Sequence, residues 1–279
     1  MDGTIEAMPI LKLSCPDRPG IVAEVARAIF DGGGNILDAD QHTDRVHQRF
    51  LQRIEFDLPD GGSLDSFRDD FGDLAAHLDL DWTLRRGDER VRLAILVSKQ
   101  GHCLYDLLGR VAMGELAADV AVVVSNHTDQ GVAAERFGVP FEHISSEADV
   151  GEALDRAEVD LVVLARYMRI LAPDVIDRYR NRVINIHHSF LPAFAGARPY
   201  HQAHARGVKV IGATAHYATE QLDEGPIICQ DVVSVSHRDD VASFVRRGRD
   251  LEMVVLARAV QLHLDHRVLA YENRTVVFD

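Results

Sequence analysis

Four short apolar runs, Arg92–Val97, Val120–Ser125, Leu161–Ala165 and Val183–Ile186, constrain this chain more than any other feature. None of them alternates apolar with polar residues, so each reads as a strand buried on both faces, as in a parallel sheet covered by helices. Stretches with helical spacing lie between them, at Leu104–Met113, Gln130–Phe137 and Val150–Ala157. This alternation predicts a doubly wound, mostly parallel α/β domain, in which ligands sit beyond the C-terminal ends of the strands. Further on, Ala197-Arg198-Pro199-Tyr200 starts a helix that runs to about Arg206, with proline at an early position. Val208–Tyr217 and Pro226–Val235 read as two long strands. Asp240 to about His266 reads as a long amphipathic helix, and Arg274–Phe278 as a short final strand.

The chain before Arg85 has another rhythm. Leu11–Cys15 alternates as a strand, and Pro16-Asp17-Arg18-Pro19-Gly20 is a turn. Ile21 to Phe30 has helical spacing, and Gly32-Gly33-Gly34-Asn35 stops it. Residues 35–40 and 48–56 read as strands; Phe50, Gln52, Ile54 and Phe56 share one side of the second, and Leu51, Arg53 and Glu55 the other. Ser63 caps a helix through Leu78, and Asp79–Leu84 is a last strand. The order βαββαβ is ferredoxin-like, an α+β arrangement. Residues 1–84 carry 7 Lys+Arg against 17 Asp+Glu and residues 85–279 carry 23 against 27, net −10 and −4. That asymmetry supports two domains: 1–84, a charged linker at 85–90, and 91–279.

The net charge of −14 argues against nucleic acid as a main partner. No apolar stretch reaches the ~20 residues of a membrane helix, and Met1–Glu6 lacks the basic start of a signal peptide. Cys15, Cys103 and Cys229 are far apart and odd in number, which fits a reducing cytoplasm.

Asn185 and His187 stand two residues apart at the end of a predicted strand, so their side chains leave the same face. A carboxamide there can donate to a developing oxyanion, and an imidazole can move a proton. Asp223, in the loop between the two long strands, can orient a water or hold the imidazole charged. His188, His201, His204 and His216 raise the question of a metal, but no His-Glu-x-x-His or Cys-x-x-Cys pattern supports one. His216 reads instead as a structural or proton-handling neighbour of the site. Ser189 beside His188 lacks the Gly-x-Ser-x-Gly elbow of a hydrolase nucleophile.

Asn-x-His at 185–187, Ser-x-Leu-Pro at 189–192 and Leu-Asp-x-Gly-Pro at 222–226 resemble the folate-dependent formyltransferase family over about residues 91–270. The resemblance implies a catalytic trio of Asn185, His187 and Asp223. It makes Met168, Arg169 and Leu171, within Arg166–Leu171, candidates for holding the folate, with Ala218, Thr219 and Leu222 in the following loop. No cofactor or metal is implied, because the folate is the substrate. Asp17-Arg18-Pro19-Gly20-Ile21-Val22, with Asn35-Ile36, resembles an ACT domain. Such modules usually pair, which implies a homo-oligomer, and often bind an amino acid; Asp17, Gly20, Ile21 and Asn35 are the candidate effector residues.

The first strand-to-helix turn discriminates among family members. Where transformylases of phosphorylated acceptors carry a glycine-rich loop for the phosphate, this chain has Ser98-Lys99-Gln100-Gly101-His102-Cys103-Leu104, with one glycine. Gln100-Gly101 departs from the small or acidic residues expected there. With an ACT module in front and the doublet His187-His188, the resemblance is to the hydrolytic branch, in which water takes the formyl group of 10-formyltetrahydrofolate. Two alternatives stand beside it: transfer to a small unphosphorylated amine, and an amino-acid-sensing protein with a vestigial core.

Overall fold

The computed structural model describes residues 8–58, 63–87, 89–193 and 199–278. Contacts divide the chain into two compact units. One comprises Met1–Glu89 with Asp265–Leu269 and Val276–Asp279, the other Arg90–Leu264 with Ala270–Thr275. The C-terminal tail, assigned wholly to the second domain by the sequence, is therefore divided.

The first unit runs β1 (Pro9–Pro16), α1 (Ile21–Asp31), β2 (Asn35–Asp44), β3 (Arg49–Asp57), α2 (Leu64–His77) and β4 (Asp81–Arg86). Its sheet has the order β2-β3-β1-β4 with antiparallel pairing throughout, the βαββαβ arrangement expected. Ile21, Val25 and Ile29 put the apolar side of α1 on the sheet. Ser63 caps α2 by accepting from the Ser66 N–H. Phe67 and Phe71 of α2 stack at 5.6 Å, with Phe56 5.0 Å from the first and Trp82 5.0 Å from the second. The last strand begins two residues later than expected because Asp79 turns the chain at φ 51°.

The opposite face of this sheet is covered too. Leu51 and Arg53 are buried, although alternation along β3 set them apart from the Phe50 side. Lys12 donates to the Val268 carbonyl at 2.9 Å, within the tail segment that belongs to this unit. Burial, with Arg53 and Arg85 nearby, pushes the Lys12 ammonium down to about 8.

The second unit runs β5 (Val91–Val97), α3 (His102–Ala112), β6 (Ala118–Ser125), α4 (Gly131–Arg136), β7 (Phe141–His143), α5 (Asp149–Arg156), β8 (Leu161–Leu164), α6 (Pro173–Arg178), β9 (Val183–His187), α7 (Pro199–Arg206), β10 (Val210–Tyr217), β11 (Ile227–Ser234) and α8 (Val241–Leu264). Two short strands follow, β12 (Val268–Tyr271) and β13 (Arg274–Val277). The seven-stranded sheet has the order β11-β10-β9-β8-β5-β6-β7; β9 through β7 are parallel, and β10 and β11 run antiparallel. β7, α6 and β12 were not anticipated. The start of α7 expected at Ala197-Arg198 falls outside the described residues, and the helix is observed from Pro199.

The strand order reverses between β5 and β8, so the loops that leave their C-terminal ends part in opposite directions and open a crevice. β9 lies next to β8 and carries Asn185 and His187 at its own C-terminal end.

Candidate active site

Asn185 and His187 lie within the last three residues of β9, and β10 runs antiparallel beside them, pairing His216 with Asn185 and Thr214 with His187. That pairing orients the carboxamide. His216 Nδ1 lies 2.9 Å from the Tyr217 carbonyl and must donate to it, so Nε2 is the acceptor for Asn185 Nδ2 at 3.1 Å. Burial lowers the His216 pKa, consistent with this neutral tautomer. One hydrogen of the Asn185 amide is thereby used, and the other remains for the cleft that Asn185 lines. His216, singled out as a structural neighbour, is the residue that aims Asn185.

His187 is 4% exposed. Its Nδ1 lies 3.0 Å from Asp223 Oδ1, while its Nε2 is buried without a partner among the described residues. A buried, unpaired ring nitrogen is costly in a structural histidine, and here it lines a cleft. Asp223 reaches this position from the loop after β10 at φ 60°. Burial alone would raise its pKa, but the hydrogen bond and charge of His187, with His216, hold the carboxyl below its usual value. The loop after β9 is pinned by Thr214, whose hydroxyl accepts from the Leu191 N–H at 3.1 Å and donates to the Ser189 carbonyl at 2.8 Å. The Ser189 hydroxyl donates to the Ala193 carbonyl at 2.7 Å, which leaves it poorly suited to act as a nucleophile.

The cleft has a volume of about 680 Å³. Met168, Arg169, Leu171, Ala218, Thr219 and Leu222 all line it together with the trio. Met168 and Leu222 are 62% and 66% exposed and form apolar lips. Leu171 is both core and cleft wall, packed among buried residues of the second unit. Ile170, within the segment Arg166–Leu171, and Gln221, within the candidate loop Ala218 to Asp223, also line the cleft. The segment from Arg166 to Leu171 is tied to the end of β5: Ser98 N–H donates to the Arg166 carbonyl, and Ser98 Oγ accepts from the Met168 N–H at 3.1 Å.

At the other end of the cleft lie Gln100, Arg166, Tyr200 and Glu252. Glu252 is 1% exposed and bonds His102 Nε2 at 2.7 Å and the Tyr200 hydroxyl at 2.5 Å. Sequence reasoning missed this carboxylate, although Phe244, Gly248, Leu251, Val255 and Leu256 mark the buried stripe of α8 on which it sits. Burial would raise its pKa; His102, Arg166 and Tyr200 hold it below the usual value. Among the described residues, His102, Cys103 and Glu252 are the group whose ligand atoms could surround a metal, all within 4.8 Å. The Arg166 guanidinium, its Nε 3.4 Å from the same carboxylate, already supplies a positive charge beside it.

In the first unit, Asp17, Gly20 and Ile21 line a cavity of about 460 Å³ with Arg18, Thr43 and Phe50. Asn35 is not among its lining residues; it starts β2, at the end opposite Thr43, and donates its N–H to Asp57 Oδ1 at 3.0 Å.

The formyl transferase family profile matches residues 91–260, and the ACT domain profile matches residues 10–74. The fold and these matches define a formyl transferase unit preceded by an ACT domain. The chain is 52% identical over 283 residues to the formyltetrahydrofolate deformylase of Synechocystis sp., covering 96% of this chain and 97% of that one. The crystal structure of a formyltetrahydrofolate deformylase from Pseudomonas syringae pv. tomato superposes with a TM-score of 0.94 at 46% identity, over 98% of this chain and 94% of that one. Glycinamide ribonucleotide transformylase 1 from Symbiobacterium toebii matches 68% of this chain and 95% of its own, with a TM-score of 0.65 at 35% identity. This chain belongs to the formyltetrahydrofolate deformylase family.

Proposed function

We propose that the chain hydrolyses the formamide of 10-formyltetrahydrofolate to formate and tetrahydrofolate, with Asn185, His187 and Asp223 as the catalytic residues. The observation that carries this reading is the unpartnered, buried Nε2 of His187 beside the free amide hydrogen of Asn185, in a cleft that also holds Asp223. In its imidazolium form, with Nδ1–H on Asp223, His187 presents Nε2–H, so that it and the Asn185 amide are two donors from one strand face, suited to a carbonyl oxygen that gains charge. Each such donor is worth about 3–4 kcal/mol of barrier in well-studied acyl-transfer sites. Asp223 Oδ1 is engaged with His187, which leaves Oδ2 to accept from a water and place it against the formyl carbon. Water adds to that carbon, the C–N10 bond breaks, and N10 takes up a proton as formate leaves. No step draws on a metal.

The folate lies along Met168, Arg169 and Leu171 on one side and Ala218, Thr219 and Leu222 on the other, its ring system against the apolar lips. The cavity at Asp17, Gly20 and Ile21 takes an amino-acid effector, with Asn35 joining it across a pair of chains in a cytoplasmic homo-oligomer. The described residues include no helix long and apolar enough to cross a membrane.

The test is release of formate from 10-formyltetrahydrofolate by purified protein in the presence of chelator and without any amine. The proposal expects formate with water alone and a near-complete loss in Asp223→Asn. Silence without an amine but turnover with one would instead support the transferase alternative.

A further inference from the structure

The two ends of the cleft are built in opposite ways. At the β9 end, the cleft wall carries a polar atom without a protein partner among the described residues, His187 Nε2. At the reversal of strand order, where an open α/β sheet ordinarily admits a ligand, the charged side chains of Arg166 and Glu252 line the crevice. Gln100 follows β5 and Arg166 follows β8, the two strands that part there. Arg166 turns at φ 64°, a left-handed conformation that disfavours a side chain, yet it is only 8% exposed. Its Nη2 donates to Gln100 Oε1 at 3.4 Å, and its Nε lies 3.4 Å from Glu252 Oε2.

Both oxygens of Glu252 are in turn engaged, Oε2 by His102 and Oε1 by Tyr200. Tyr200 packs so closely on α8 that a Cβ at Gly248 would overlap the hydroxyl end of its side chain. His102 is the first residue of α3, so its side chain ties the start of that helix to α8. The turn itself is filled: Gln130 Nε2 donates to the Lys99 carbonyl at 2.8 Å, and a Cβ at Gly101 would overlap the Gln130 amide. An amine arriving here meets a guanidinium instead of a free carboxylate.

We propose that Arg166, held in place by Glu252, is the specificity-determining residue that denies the cleft to an amine acceptor, so that water receives the formyl group. The proposal rests on the hydrolytic reading above. Transfer would require the amine nitrogen to attack the formyl carbon, the C–N10 bond to break, and the proton lost by the amine to reach N10. Such an amine needs the space that the Arg166 side chain takes up.

The experiment supplies 10-formyltetrahydrofolate with glycinamide and measures N-formylglycinamide and formate together. The unaltered protein should yield formate only, and millimolar glycinamide should change neither its rate nor its KM. Arg166→Gly suits the left-handed backbone and opens the crevice; formylglycinamide should then appear at least about tenfold above the detection limit of the assay. If the single variant does not fold because Glu252 loses its countercharge, Arg166→Gly/Glu252→Gln makes the same opening without a buried lone charge. A folded variant that still yields formate only would overturn the proposal. So would formylglycinamide from the unaltered protein, or competitive inhibition of it by glycinamide. If no protein releases formate, the hydrolytic reading falls first and the proposal with it.

Discussion

Asp223 and Glu252 are both carboxylates on the same cleft, and the protein treats them differently. The Asp223 side chain is 14% exposed, with one oxygen on His187. Glu252 is 1% exposed, with both oxygens taken and Arg166 beside it. Burial opposes the charge of each, and donors overcome it in each. The difference lies in what is left over. Around Asp223 the free edge of His187 is left on the cleft wall; around Glu252 both carboxylate oxygens are bonded within the protein, although Arg166 Nε, 3.4 Å away, is also buried without a hydrogen-bond partner among the described residues. An open network is ready to meet a reacting group, and a closed one defines the shape of the space.

The comparison is sharpest under substitution. Glu252→Ala strands a buried guanidinium and removes the acceptor of His102 and Tyr200, and should cost about 3–5 kcal/mol of stability. Denaturant titration would read it as a shift of midpoint with little change of slope. A fully stable Glu252→Ala protein would mean that the closed network is not structural. Gly248→Ala should follow at about 1–3 kcal/mol, because the new methyl overlaps Tyr200 and forces it off α8; the drop in Tm checks it.

Acid separates the ends differently. Burial lowers the pKa of His188, to about 4, and of His216, so both rings are neutral when folded. Above the unfolded value near 6.5 this has no effect on stability. Below it the unfolded chain takes up protons that the folded chain refuses, so stability falls as pH drops from 6.5 toward 4. For His188 the slope should be of order 1 kcal/mol per pH unit over that window, and His216 acts in the same direction. Asp223 acts lower down: its folded pKa lies under 3.8, so its contribution holds above 3.8 and is lost only as pH falls through the depressed value. Thermal melts at pH 7 and pH 5 would show the histidine effect, and a flat profile would contradict it. The smallest change belongs to the lip. Leu222→Ala should raise KM several-fold with kcat little altered, by roughly 1 kcal/mol of lost apolar contact made equally in ground and transition states.

What the sequence revealed depends on how far each feature is local. β5, β6, β8 and β9 were legible because continuous apolar runs are themselves the signature of a covered parallel strand. β7 has three residues and α6 has six, too few for either periodicity to register. Proline at the start of α6 was the one local hint. Asn185, His187 and Asp223 were legible because each sits in a short motif near a strand end. Glu252 was not, and Arg166 was legible only as the first residue of the segment Arg166–Leu171, without its partner. The Glu252–His102 bond spans 150 residues of sequence, and a buried charge can be recognised only by the partners folding brings to it. A carboxylate on the apolar stripe of α8 was the available clue. The tail of the chain is a similar case, since the Lys12 bond that ties it to the first sheet crosses 256 residues.

The most direct test of the central claim is the rate of the Asn185→Ala protein, measured alongside its affinity for a folate that carries no formyl group. If Asn185 donates to the oxyanion only as charge develops, kcat should fall about 10²–10³-fold while folate binding stays within about twofold. An unchanged kcat would remove Asn185 from the chemistry, and with it the reading of the open end of the cleft as the reacting end.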